Sequence, residues 1–108
     1  MTTWVPVAQT EDVPPGRVLS VPVGDLEMAV CNVDGTFYAI DDVCTHDGGA
    51  LDQGELEGNE IECPRHGARF DVRTGRVTQL PAFEPIETYA VRVAGDTIEV
   101  GLEPDELN

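Results

Sequence analysis

A chain of 108 residues with 41% hydrophobic content has the size and composition of an ordinary globular protein, and we expect one domain over residues 1–108. Its six basic residues are all arginine, and 21 acidic residues leave a formal net charge of −15 at pH 7. This negative field disfavours nucleic acid and anionic membrane surfaces as partners. It is consistent with a basic docking partner, with high solubility or with a salty or hot habitat, and the composition does not separate these.

The first 16 residues contain no basic start followed by an apolar stretch, so they do not resemble an export signal. No apolar run in the chain approaches the roughly 18 residues that a membrane helix needs. We therefore expect a cytoplasmic protein without membrane attachment, and we predict a monomer.

Short segments rich in Val, Ile and Thr alternate with turn signals along the chain, and no capped stretch shows helical periodicity. This pattern predicts a mostly β fold. The predicted strands are 4–7, 17–23, 27–32, 37–40, 60–63, 69–72, 88–93 and 97–100. Turns are predicted at Pro14-Pro15-Gly16, Asp34-Gly35, Thr74-Gly75 and Gly95-Asp96.

Two of these turns should close tight hairpins. Asp34-Gly35 and Gly95-Asp96 supply the positive φ that such hairpins need, because glycine adopts it without steric cost and aspartate tolerates it. In the last hairpin Tyr89, Val91 and Val93 alternate with smaller or charged residues. This alternation predicts that the three side chains point inward and their neighbours outward.

The middle of the chain differs from both ends. Between residues 41 and 85 glycine and proline accumulate, and both histidines and two of the three cysteines occur. We interpret this block as a loop-built site on a β scaffold. The third cysteine, Cys31, lies in a predicted strand without a ligand neighbour, so we predict a small hydrophobic core residue.

Two short segments of the block each offer one thiolate and one imidazole. Cys44-Thr45-His46 is followed, sixteen residues later, by Cys63-Pro64-Arg65-His66, and both segments continue into glycine. Glycine lets a backbone turn sharply around a bulky inorganic group. Two half-sites of the same composition indicate a centre with two halves, which a binuclear iron–sulfur cluster fits. A mononuclear zinc site is the alternative, because zinc also binds cysteine and histidine.

The pattern C-x-H, sixteen residues, C-x-x-H resembles that of the Rieske family, in which two histidines replace two cysteines on one iron of a [2Fe-2S] cluster. The resemblance covers almost the whole chain. It implies an all-β fold of antiparallel sheets, a sandwich or partly open barrel, with a cluster-binding subdomain at about 41–85. It also implies a third loop over residues 80–85 that covers the cluster.

The resemblance assigns the site residue by residue. It implies that the metal ligands are Cys44, His46, Cys63 and His66. The residues that it places around the cluster are Thr45, Gly48, Gly49, Pro64, Arg65, Gly67, Ala68, Phe70 and Pro81.

The charge of such a cluster governs its redox behaviour. Two thiolates cancel the charge of the oxidised core, and histidine ligation places the class at about −150 to +300 mV, against about −400 mV for plant-type ferredoxins. High-potential members of the family have two further cysteines where this chain has Gly49 and Arg65. They have Ser and Tyr hydroxyls near the cluster where this chain has Ala68 and Phe70. The chain therefore resembles the low-potential, ferredoxin-type members.

Such members resemble soluble ferredoxins that carry electrons from a flavin reductase to aromatic-ring-hydroxylating oxygenases, and small subunits of nitrite reductases are similar. No nucleophile–base pair or substrate site is visible in the sequence, so we expect an electron carrier and not an enzyme. A zinc-stabilised binding module is the remaining alternative. The resemblance implies electron exit at the edge formed by the two histidines, beside Pro81 and Phe83, with Arg65 and Arg69 placing positive charge near the second loop.

Overall fold

The computed structural model of this chain describes residues 2–45, 48–64 and 67–106. Within these residues it contains ten strands, three short 3₁₀ turns and no α-helix, which confirms the predicted all-β fold. No helix in the described part of the chain is long and apolar enough to cross a bilayer. The strands are β1 (Thr3–Gln9), β2 (Val18–Val23), β3 (Leu26–Val33), β4 (Thr36–Asp41), β5 (Glu55–Glu57), β6 (Glu60–Glu62), β7 (Arg69–Asp71), β8 (Val77–Gln79), β9 (Thr88–Ala94) and β10 (Thr97–Leu102).

The strands form two antiparallel sheets. A six-stranded sheet has the order β1-β10-β9-β4-β3-β2, and a four-stranded sheet has the order β5-β6-β7-β8. The small sheet belongs to the segment, here called the excursion, that connects β4 to β9 of the large sheet. Because β4 pairs with β9 through Ile40 and Thr88, both ends of the excursion are anchored at one place. The predicted limits of the domain (1–108) and of the subdomain (41–85) stay predictions.

Both predicted hairpin turns occur, with different backbone conformations. Asp34 and Gly35 both have positive φ, of 51° and 94°, between β3 and β4. Between β9 and β10 Gly95 has a φ of 63°, whereas Asp96 keeps a negative φ. The prediction that three side chains of β9 point inward is correct for Tyr89 and Val91, which pack against the core. It is wrong for Val93, which lies next to the turn and is 47% exposed.

The sequence prediction missed two strands of the small sheet. These are β5 (Glu55–Glu57) and β8 (Val77–Gln79), each three residues long. Such segments are too short for an alternating pattern to stand out, and β5 contains two glutamates, which are depleted in strands. Pairing with β6 and β7 defines them instead.

Strand β3 separates two hydrophobic clusters. Met28 and Val30 pack on one side with residues of β2 and β10. Ala29 and Cys31 pack on the other side, in the cluster that includes residues of the small sheet. Cys31 is fully buried, which confirms that it is a core residue, and burial, aided by the nearby Asp42, raises its pKa to about 12.

Candidate metal centre

The two cysteines predicted as ligands lie just after strands and inside the core. Cys44 follows β4 after two intervening residues, and Cys63 directly follows β6. Each is 1% exposed, and both belong to the hydrophobic cluster that also contains Cys31. The fold therefore brings two thiols that are distant in sequence into one buried, apolar region.

The first cysteine loop is closed by two backbone hydrogen bonds. The Cys44 N–H donates to the Gly49 carbonyl at 2.7 Å, and the Gly48 N–H donates to the Cys44 carbonyl at 2.8 Å. Gly48 has a φ of 76°. This is the bonding of a β-bulge whose first residue requires positive φ, so glycine is needed there.

The second cysteine loop repeats this arrangement. The Cys63 N–H donates to the Ala68 carbonyl at 2.7 Å, the Gly67 N–H donates to the Cys63 carbonyl at 3.1 Å, and Gly67 has a φ of 78°. In both loops the bulge glycine is the fourth residue after the cysteine. The two loops are therefore equivalent in their backbone bonding, although the histidine is the second residue after Cys44 and the third after Cys63.

His46, Asp47, Arg65 and His66 lie outside the described residues, so the two histidine ligands and the role of Arg65 stay predictions. The described part of the site fits a centre with two halves, because two thiols in one buried cluster are presented by equivalent loops. Thiolate and imidazole are the donors that a [2Fe-2S] cluster of mixed ligation uses.

The predicted third loop contacts the first cysteine loop. The Thr45 hydroxyl donates to the Glu84 carbonyl at 2.7 Å. Ala82 is fully buried in the same cluster as the cysteines, and Pro81 is half-buried. Pro64, on the second cysteine loop, is exposed.

Ala68 and Phe70, the positions on which the low-potential prediction depends, are both fully buried in the cluster of the cysteines. Phe70 lies opposite Ile61 in the ladder of β6 and β7, so its ring faces the core and not solvent. This placement is compatible with residues that adjoin the metal centre. Their effect on the potential stays a prediction.

Two polar residues that sequence reasoning missed support the loops. The Gln79 side chain donates from Nε2 to the Gly67 carbonyl at 3.0 Å, from the end of β8. Asp42, buried just before the first loop, accepts the Asp52 N–H at 2.7 Å through Oδ1. Burial, together with the nearby Asp52, raises the pKa of Asp42 to about 6. Neither contact has a sequence signal, because both partners are set by tertiary structure.

Two glycines allow close backbone approach near the site. A Cβ on Gly54 would lie 1.7 Å from the carbonyl oxygen of Glu62, the residue before Cys63. A Cβ on Gly75 would lie 2.1 Å from the Ile86 carbonyl oxygen, and the Ile86 N–H donates to the Gly75 carbonyl at 2.9 Å. The predicted turn at Thr74-Gly75 is present, with a φ of 82° at Gly75.

Arg69 does not present a free positive charge beside the second loop. Its guanidinium lies 3.6 Å from Glu57, 3.3 Å from Glu60 and 3.5 Å from Glu62. The hydrogen bond to Glu60 and the neighbouring carboxylates raise the pKa of Arg69. The positive charge that the sequence predicts beside the second cysteine loop is therefore neutralised at Arg69 by these three carboxylates.

The turn between β7 and β8 is held by an ion pair. Asp71 accepts hydrogen bonds from the Arg73 side chain at 2.9 and 3.1 Å and from the Arg73 backbone N–H at 2.9 Å. The side-chain hydrogen bond is the main cause that lowers the pKa of Asp71. This turn positions β8 and, through it, Gln79.

Large apolar side chains are exposed beside the site. Phe83 is 82% exposed and Leu80 is 66% exposed, both in the third loop, and Val43, next to Cys44, is 41% exposed. Val43 adjoins the first cysteine loop, and Leu80 and Phe83 belong to the third loop, which contacts the first one through the hydrogen bond of Thr45 to Glu84.

A family model for the Rieske [2Fe-2S] domain matches residues 3–90. The ferredoxin component of a naphthalene 1,2-dioxygenase system of Pseudomonas aeruginosa is 41% identical over 92% of this chain and 95% of its own length. The ferredoxin component of biphenyl 2,3-dioxygenase of Rhodococcus jostii is 41% identical over 90% of this chain and 91% of its own length.

Solved structures that are similar to this chain include ferredoxins of dioxygenases. The ferredoxin of carbazole 1,9a-dioxygenase from Nocardioides aromaticivorans superposes with a TM-score of 0.87 at 40% identity, covering 91% of this chain and 96% of that one. A ferredoxin in complex with the oxygenase of carbazole 1,9a-dioxygenase gives 0.85 at 38% identity, covering 90% and 91%. A putative nitrite reductase small subunit gives 0.78 at 19% identity, covering 91% and 97%, which is a likeness of fold alone.

Proposed function

The chain belongs to the Rieske [2Fe-2S] domain family, and we propose that it carries electrons from a reductase to a terminal oxygenase through a cluster bound by Cys44, His46, Cys63 and His66. The observation that supports this role best is the identity of about 40% with ferredoxin components of dioxygenase systems over nine-tenths of the chain. Equivalent backbone bonding of the two cysteine loops supports the ligand assignment.

The bound cluster supplies the one-electron chemistry, and the chain supplies its setting. The cysteine loops present Cys44 and Cys63 as ligands from within a buried, apolar cluster. The contact between Thr45 and Glu84 keeps the third loop against the first loop. A dry, apolar setting with few donors favours the less charged oxidised state and thus a low potential within the class.

The protein is an electron carrier and not an enzyme in its own right. A partner from an aromatic-ring-hydroxylating system is favoured over a nitrite reductase, because the nitrite reductase subunit shares the fold at only 19% identity. A zinc module is not supported, since the family binds [2Fe-2S]. The cytoplasmic location and the monomeric state stay predictions.

The ligand assignment is tested with purified protein. We expect two irons and two acid-labile sulfides per chain, a red-brown colour and a paramagnetic signal on reduction. Replacing any of Cys44, His46, Cys63 or His66 by alanine should remove or alter the cluster, whereas Cys31→Ala, the matched control, should retain it. An intact, unchanged cluster in His46→Ala, or its loss in Cys31→Ala, would contradict the assignment.

The redox role has its own test. A protein that binds the cluster but passes electrons to no oxygenase in the presence of a flavin reductase would exclude the proposed place in the electron-transfer chain. Stable copurification with a large sirohaem enzyme would instead favour the nitrite reductase alternative.

A further inference from the structure

Gln79 reaches from the small sheet to the second cysteine loop. It is the last residue of β8 and lies opposite Arg69 in the ladder of β7 and β8. Its Nε2 donates to the Gly67 carbonyl at 3.0 Å. The contact holds a bulge residue that itself bonds to the Cys63 carbonyl.

The hydrogen bond fixes the orientation of one peptide group. The bond between Gly67 and Ala68 is trans, and in a planar trans peptide the carbonyl and the following N–H point in opposite directions. When Gln79 holds the Gly67 carbonyl, the Ala68 N–H must therefore point away from Gln79.

The Ala68 N–H is buried beside Cys63. Ala68 is 0% exposed, and its carbonyl accepts the Cys63 N–H at 2.7 Å. Within residues 2–45, 48–64 and 67–106 no backbone carbonyl accepts a hydrogen bond from the Ala68 N–H. Buried backbone N–H groups without an acceptor are rare, so this donor is available to a group bound at Cys63.

We propose that Gln79 is a positioning residue for the redox centre: it orients the peptide between Gly67 and Ala68 so that the Ala68 N–H faces the cluster and stabilises its reduced state. The inference rests on the proposed role of Cys63 as a ligand. A donor directed at a cluster sulfur or a ligating thiolate favours the state with more negative charge, and thus raises the potential.

Gln79→Met tests the inference, because methionine keeps the length of the side chain and removes the donor. We expect the ratio of reduced to oxidised protein at a fixed potential to fall about threefold, which corresponds to a decrease of about 30 mV in a one-electron couple. Gln79→Asn retains an amide but is too short to reach Gly67, so it should show the same decrease. Thr78→Ala, at the exposed neighbouring position of β8, is the matched control and should leave the potential unchanged.

Voltammetry on the cluster-loaded wild type and the three variants measures the reduction potentials that test this proposal. Unchanged potentials in both glutamine variants, or an equal decrease in Thr78→Ala, would overturn the proposal. If both glutamine variants fail to bind the cluster while Thr78→Ala binds it, Gln79 has a structural role only and the proposal is also wrong. Absence of a cluster from the wild-type protein would instead refute the proposed function.

Discussion

Gly54→Ala is expected to disturb the second cysteine loop through a backbone clash. The added Cβ would lie 1.7 Å from the Glu62 carbonyl oxygen, 2.9 Å from its carbon and 3.3 Å from the Leu51 carbonyl oxygen. Real Cβ contacts essentially never fall below 3.0 Å, so the backbones must separate by more than 1 Å. Because Glu62 directly precedes Cys63, this movement should displace Cys63, which we propose as a ligand.

The expected loss of stability follows from how short the contact between the added Cβ and the Glu62 carbonyl would be. Overpacking a well-packed site typically costs about 1–3 kcal/mol, and a clash between two backbones that cannot rotate away should reach the upper end of this range. For a domain of this size about 3 kcal/mol lowers the Tm by on the order of 10 °C. The chelator-driven loss of visible absorbance should also become faster.

Gly58→Ala is the matched control. Gly58 has a φ of 60° with no atom within 4 Å of the added Cβ, so it adds backbone strain of about 1–2 kcal/mol without a clash. It should lower the Tm by less than Gly54→Ala does and leave the rate of cluster loss unchanged. Thermal unfolding and chelation of the two holoproteins test this. A Gly54→Ala protein with the wild-type Tm and cluster-loss rate would refute the reasoning.

Three further results are expected. Ala68→Ser and Phe70→Tyr should each raise the potential by some tens of millivolts, because a hydroxyl that donates to a cluster sulfur favours the reduced state; an unchanged potential in the double mutant, with its cluster intact, would show that these positions do not face the cluster. Cys31, whose pKa is raised to about 12, should resist alkylation at about pH 8 in the folded protein and react on unfolding. Above about pH 9 the free energy of unfolding should fall, because the unfolded state loses the Cys31 proton first. Rapid labelling of Cys31 in the native protein, mapped by mass spectrometry, would contradict this. Phe83→Ser should slow electron transfer to the oxygenase more than Val93→Ser does, and the wild-type rate should fall as ionic strength rises. Equal effects of the two substitutions, or a rate that does not change with salt, would count against docking of the oxygenase at the third loop.

The sequence was sufficient for features that depend on local chemistry. Asp34-Gly35 predicts its hairpin because few residues adopt positive φ, and Cys31 is placed in the core by its strand context. The equivalence of the two cysteine loops was also accessible, since Gly48 and Gly67 are each four residues after a cysteine. What obscured it was the different offset of the histidines.

Features that depend on tertiary contacts could not be predicted in the same way. Gly54 resembles an ordinary turn glycine, yet its conformation is extended and its role is to admit the Glu62 carbonyl. Gln79 ends a three-residue strand whose existence depends on pairing with β7. Val93 alternates correctly with its neighbours but lies next to the turn, where the core no longer covers it. For Gly54 and Gln79 the decisive partner lies in another segment of the chain, and for Val93 the decisive factor is where the core ends.

The exposed apolar residues indicate how a partner protein would meet this carrier. Single exposed apolar side chains are ordinary on protein surfaces, but Val43 adjoins the first cysteine loop, and Leu80 and Phe83 lie in the third loop that contacts it. The net charge of −15 acts at longer range and attracts a basic surface. Salt screens the charge but not the apolar contact, so rising ionic strength should slow encounter more than it shortens the lifetime of the complex. Such a division of roles suits an electron carrier, because a small apolar contact lets the complex dissociate after each transfer.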